Sequence, residues 1–96
     1  MKFNWDEDKA ASNLAKHGVS FDEATTVFGD PYFIEFYDPD HSDDEDRFIM
    51  VGMSSMQRLL IVSYTDRHGA IRLISARETT RQERKAYEEN ETGYDG

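Results

Sequence analysis

Arg58-Leu59-Leu60-Ile61-Val62-Ser63-Tyr64-Thr65 and Ala70-Ile71-Arg72-Leu73-Ile74-Ser75-Ala76-Arg77 decide the fold. Both runs are rich in β-branched and aliphatic residues and have the length of a strand. Only Asp66–Gly69 separates them, a connection of hairpin length closed by glycine. Reading towards the N-terminus, Arg47 to Met53 is apolar and joins the first run through Gly52–Gln57. Tyr32 to Tyr37 is aromatic-rich and forms a fourth run. The pattern predicts an antiparallel meander of about four strands.

Helix signals flank this meander. Asn4 or Asp6 can cap a first helix, acids crowd its first turn, and Ala10, Ala11, Leu14 and Ala15 make an apolar stripe. Gly18 supplies the left-handed stop expected just past a helix end. Ser20-Phe21-Asp22-Glu23 is a capping box for a shorter helix whose Phe21, Ala24, Val27 and Phe28 face inward, and Gly29-Asp30-Pro31 ends it. Thr80-Arg81-Gln82-Glu83 is a second capping box, opening a helix that runs to about Asn90. Lys2 to Trp5 alternates and suits an edge strand. The expected fold is α+β: one domain over residues 1–90, two N-terminal helices and one C-terminal helix on one sheet face, and a frayed tail over residues 91–96.

A chain of 96 residues has room for one core. It has no cysteine, so neither disulfides nor thiolate metal sites support it. Its start lacks the apolar stretch of a signal peptide, and no run approaches a membrane span, so a cytoplasmic, membrane-free protein is expected. The formal net charge is −9, twenty acids against eleven Lys and Arg. That balance is unlike a nucleic-acid-binding domain and predicts poorly steered encounter with any polyanion and a basic partner. The charges are segregated, however. Six of the nine residues from Asp38 to Asp46 are acidic, whereas arginines gather at 58, 67, 72, 77, 81 and 84.

Lys9, Asn13 and Lys16 stand at i, i+4 and i+7 of the first helix and line one side of it, with His17 next. The helix dipole favours cations at that end, so a plain solvated face has the same pattern. Arg77 ends the last strand, and Arg81 and Arg84 open the helix after it. Cations there oppose the dipole unless an anion such as phosphate sits between them, or unless they pair with Glu78 or Glu88. The acidic run fails as an EF-hand loop, because its sixth and twelfth positions hold Asp43 and Ile49 rather than glycine and glutamate. His17, His41 and His68 lie in separate segments without metal-ligand spacing, and no Gly-rich phosphate loop or nucleophile elbow occurs. No metal and no cofactor is expected.

Two motifs carry a family resemblance. Phe3-x-Trp5-Asp6-x-x-Lys9-x-x-x-Asn13-x-x-Lys16-His17-Gly18-Val19-Ser20-Phe21-x-Glu23-Ala24, with Val27-Phe28-x-Asp30-Pro31 after it, resembles the start of BrnT-type toxins. Arg72-x-Ile74-Ser75-Ala76-Arg77-x-x-Thr80-x-x-Glu83-Arg84-x-x-Tyr87 resembles their end. Arg47-Phe48-x-x-x-Gly52 and Arg58-x-Leu60-x-Val62 also fit, and the likeness spans about residues 2 to 89. The resemblance implies a RelE-like fold and a ribonuclease toxin of a type II toxin-antitoxin system. It implies a BrnA-type ribbon-helix-helix antitoxin, with operator DNA reached only through that partner. RNA would be cut without metal, by attack of the ribose 2′-hydroxyl on the adjacent phosphate. Such chemistry needs proton transfer near neutrality and fixed cations. His17 is the one side chain on its helix of a type that titrates there, with Lys16 as the alternative. Arg77 and Arg81 are the expected transition-state stabilisers, and Lys9, Asn13, Arg58 and Arg72 the expected substrate-binding residues, although the faces of Arg58 and Arg72 depend on strand register. Tyr87 either stacks on a base or packs the last helix. The alternative function is a non-catalytic module acting only within a toxin-antitoxin repressor complex.

Overall fold

In the computed structural model, which describes residues 1–91, the two deciding runs pair antiparallel as β4 (Leu59–Arg67) and β5 (Ala70–Glu78). Their loop is only His68-Gly69, both at positive φ (54° and 87°), and the Asp66 carboxylate accepts the Gly69 N–H at 3.0 Å. Two successive positive φ values match the twist of the hairpin. β3 (Arg47–Met53) pairs with β4, and β2 (Ile34–Tyr37) with β3, both antiparallel.

Among the described residues the sheet has five strands, not four, and is mixed rather than antiparallel. β1 (Lys2–Asn4) lies parallel to β5, in register Lys2↔Ala70 and Asn4↔Arg72, giving the order β1-β5-β4-β3-β2. A parallel neighbour requires a long crossover, and here residues 5–69 supply it, two helices and three strands of the same sheet included.

Strand alternation divides the core. Met50, Leu60, Val62, Tyr64, Ile71, Leu73 and Ala76 pack with Val19, Phe21, Ala24 and Val27 under α1 (Glu7–His17) and α2 (Phe21–Thr26). Leu60 and Val62 have no exposed surface, and burying each stabilises the fold by about 1.5–3 kcal/mol. Edge-to-face rings (Phe3 on Phe28, Phe28 on Tyr64) continue this layer to β1. The third helix, α3 (Arg81–Glu91), does not join them as expected. It crosses the opposite face, where Tyr87 is buried with Val51 and Leu59, so Tyr87 packs the helix. The odd-numbered residues Leu59 and Ile61 face that way, and they need apolar cover. α3 reaches Glu91, one residue beyond the expected boundary, so the first residue of the tail expected over 91–96 is helical; the rest of that tail, residues 92–96, lies outside the described residues. No helix among the described residues is long and apolar enough to cross a membrane.

α1 starts where the sequence indicates: Asp6 Oδ1 accepts the Asp8 and Lys9 N–H groups, and Gly18 closes the helix at φ 70°. Its buried face is different from the expected one. Leu14 is 51% exposed and Ala11 and Ala15 are exposed, whereas Asn13 is buried. The reason is the short β1, which pairs β5 only through Arg72 and leaves the rest of that edge uncovered. Asn13 Nδ2 donates to Ala76 O (2.8 Å) and Val19 O (3.0 Å), and its Oδ1 accepts the Ala76 N–H (3.1 Å). The primary amide thus gives β5 the donor and acceptor that another strand would have given.

Asn13→Ala leaves both Ala76 backbone groups without these partners, so a loss of about 2–4 kcal/mol is expected. Urea unfolding of purified protein checks it; a change under 1 kcal/mol would refute the edge-capping role.

Candidate functional site

The face opposite α1 and α2 is covered by α3 at one end and bordered by the acidic segment 38–46 at the other. A bulge decides what it carries. Ser63 pairs with Ser75 but Tyr64 pairs with Leu73, so Ile74 is an extra residue in β5. The extra residue restores parity and puts Arg72 and Arg77, five positions apart, on the same side. Arg58 points to the other side.

Arg72 Nη1 donates to Asn4 Oδ1 at 2.9 Å and lies beside Thr65 across the ladder. These residues form part of a groove of about 370 Å³ whose cations are Lys9, Arg47, Arg67 and Arg72. Lys9 and Arg72 were expected to bind substrate, and the fold does bring them together. Arg47 and Arg67 were not singled out, because register alone places them there. Arg67 holds Glu45 of the acidic segment with Nε–Oε2 at 2.8 Å and Nη2–Oε1 at 2.6 Å. The Arg67 bond holds the Glu45 carboxyl below its ordinary range, with Arg72 and Arg47 adding to the effect.

Arg77 is half-exposed and forks onto Glu83: Nη1–Oε1 and Nη2–Oε2 are both 2.9 Å. Glu83 also accepts the Thr80 N–H at 2.8 Å while Thr80 Oγ1 accepts the Glu83 N–H at 3.2 Å, completing the capping box. The Arg77 bond dominates in lowering the Glu83 pKa, against the opposing effect of burial. Arg81 is exposed in the first turn of α3. Arg84 pairs with Glu88 at 3.6 Å, the alternative its spacing allowed.

Two expected binding residues are committed elsewhere. Asn13 lies inside, not on a polar helix face, and its amide is spent on Val19 and Ala76. Arg58 is a structural clamp: its guanidinium bonds both oxygens of Glu23, the Gly18 carbonyl (3.0 Å) and Glu78 (3.4 Å). Glu23 is therefore buried, its other bond coming from Ser54 Oγ at 2.7 Å, and the first capping box is only half made. Lys16 and His17 are exposed in the last turn of α1, at the end that Arg58 ties down through Gly18. They belong to the helical layer on the sheet face opposite Arg77, so the fold does not group them with it. His41 bonds Asp38 at 2.9 Å, and His68 sits in the hairpin turn.

Residues 5–83 match the family described as "Ribonuclease toxin, BrnT, of type II toxin-antitoxin system". The chain belongs to the BrnT family. Its fold is similar to the crystal structure, at 1.1 Å resolution, of the ribonuclease toxin BrnT of Brucella abortus. The TM-score is 0.62 at 25% identity, over 84% of this chain and 99% of that one. No curated protein sequence matches the chain. As a BrnT-family member it is a toxin of the ribonuclease class from a type II system, in which an antitoxin is the partner.

The Arg58–Glu23 pair sets the acid response. Glu23 is held below its ordinary pKa chiefly by the Arg58 bond, which outweighs burial, with Ser54 adding to it. A carboxylate whose folded pKa is lowered stabilises the fold above its unfolded pKa and loses that contribution as pH falls through the folded value. Thermal melts should therefore be flat near neutrality and fall below about pH 4. Glu23→Gln should melt lower at pH 7 and show a shallower acid slope; identical slopes would refute the assignment.

Proposed function

We propose that this BrnT-family chain is a metal-independent endoribonuclease of the cytoplasm, neutralised by a BrnA-type ribbon-helix-helix antitoxin through which alone it reaches operator DNA. The observation that carries the RNA-cutting reading is the bulge at Ile74. It aligns Arg72 and Arg77 on one face and leads the strand into Arg81. In the proposed reaction the ribose 2′-oxygen attacks the adjacent phosphorus and the 5′-oxygen leaves, giving a 2′,3′-cyclic phosphate and a 5′-hydroxyl. A base takes the 2′-proton and an acid gives one to the leaving oxygen. Arg77 and Arg81 hold the charge of the phosphorane, Lys9 and Arg72 seat flanking phosphates, and His17, or in its place Lys16, moves a proton. The substrate must bridge the end of β5 for His17 to act, whereas Glu83 already touches Arg77.

That last contact favours a second reading, a non-catalytic module working only in a repressor complex, because Glu83 fills the fork that phosphate would need.

Controlled expression in bacteria separates the two. The wild type should arrest growth and degrade RNA, with cleavage by purified protein unchanged by EDTA and ending in cyclic phosphates. An equally soluble Arg77→Ala, Arg81→Ala variant should lose at least about 10²-fold in rate, the usual effect of removing one such donor. Normal growth with intact RNA at high soluble wild-type expression would leave the binding module.

A further inference from the structure

The acidic segment from Asp38 to Asp46 folds back over the groove of Lys9, Arg47, Arg67 and Arg72, and the lining comprises those four cations and four acids, Asp40, Asp43, Asp44 and Glu45. Charge on this floor is thus neutralised from within the chain. The contact is two-pronged: the Arg67 guanidinium edge meets both Glu45 oxygens, as an arginine meets phosphate. Yet the floor retains unused hydrogen-bonding capacity. Thr65 is 3% exposed and lines the groove, and among the described residues its Oγ1 has no partner; Arg47 Nε is likewise buried without one among them. Buried polar atoms are nearly always satisfied, so these two call for a partner, a water, an ion or a ligand atom. The Arg67–Glu45 pair is also easily broken, since both side chains are well exposed (50% and 38%).

We propose that this groove is a phosphodiester-binding site for the RNA backbone, and that Glu45 occupies it as an internal phosphate mimic which RNA displaces. The site rests on the ribonuclease reading above and extends it. Arg72 and Arg77 lie five residues apart on β5, about 15 Å at the rise of a strand, so a single strand held on the groove also passes Arg77. The loop exchanges one anion for another, which selects against weak monovalent ligands and admits a polyanion that engages several cations at once. Arg67, Arg47 and the Thr65 hydroxyl are its binding groups, with Lys9 and Arg72.

The test measures affinity for a fluorescent 2′-O-methyl RNA oligonucleotide, which lacks the attacking hydroxyl and cannot be cut, as a function of salt. Glu45→Gln should bind about threefold to fivefold tighter than wild type, the range set by losing one exposed ionic competitor. Arg72→Gln should bind more weakly and with a shallower salt slope. Asp22→Asn, an equal charge change on the exposed face of α2, should leave affinity within experimental error. Unchanged or weaker binding by Glu45→Gln overturns the proposal, and so does equal tightening by Asp22→Asn. Loss of antitoxin binding in Glu45→Gln without any change in oligonucleotide affinity also overturns it, assigning the loop to the partner. RNA cleavage by wild type is scored separately. If cleavage is absent while the affinity pattern holds, the ribonuclease reading fails and the groove stands; if cleavage is present with a flat pattern, the reverse follows.

Discussion

Asp30 sits where the helical layer, the sheet and α3 meet, and its carboxylate takes a hydrogen bond from each neighbourhood. Oδ1 accepts the Tyr32 N–H at 2.9 Å; Oδ2 accepts the Met53 N–H at 2.7 Å and the Tyr87 hydroxyl at 2.5 Å. Burial disfavours the charge, but the bonds from Tyr87, Met53 and Tyr32 together outweigh it and keep the pKa below the ordinary value. A buried carboxylate is tolerable only with such a set of donors. Close approach is part of the arrangement. A Cβ on Gly52 would stand 2.8 Å from a Val27 methyl and 3.3 Å from Asp30 Oδ2, so only glycine lets the turn after α2 settle on β3. Because Tyr87 reaches through to the same carboxylate, the position of α3 follows, and with it Arg81 and the Glu83 that grips Arg77.

What was legible in the sequence was local. The runs at 58–65 and 70–77, the caps at Asp6 and Thr80 and the stop at Gly18 depend on neighbours a few residues away, and each is found where its chemistry indicates. What was not legible depends on partners far along the chain. Asn13 reads as a surface residue because its binding partner, Ala76, is 63 positions distant. Glu23 has the spacing of a capping glutamate, but its carboxylate is drawn away by Arg58, a stronger partner, so only the bond that its N–H donates to Ser20 Oγ is left of the box. The bulge at Ile74 has no glycine or other local mark, yet it sets which arginines share a face. The site was therefore half visible: its residue types stood in the sequence, and its grouping required the register.

The charge distribution explains how a chain of net charge −9 carries a cationic face. Several of its arginines are not free surface charges. Arg58, Arg67 and Arg77 each grip a glutamate in a fork, Arg58 and Arg77 at one end of the β4–β5 pair and Arg67 at the other. The pairs differ in what they accomplish. Buried Glu23 makes the Arg58 pair part of the framework, whereas the exposed Arg67 pair is labile and the Arg77 pair lies between these limits, shared with a helix cap. A chain built this way presents little positive potential at a distance and releases it only to a ligand able to replace carboxylate with something better.

The pairing of β1 with β5 has a consequence for the order in which the protein is completed. Lys2 and Ala70 are neighbours in the sheet though 68 positions separate them in the sequence. During synthesis the first strand leaves the ribosome long before its partner exists, and it must wait until β5 has emerged and folded back on β4. Asn13 waits as well, since Ala76 is made later still. The helical layer therefore has no sheet to dock on until most of the chain is present, and such long-range closure is slow compared with local pairing. A chain that stops short of β5 lacks both the arginine-bearing strand and the Ala76 backbone that Asn13 holds, so it has neither the site nor the capped sheet edge.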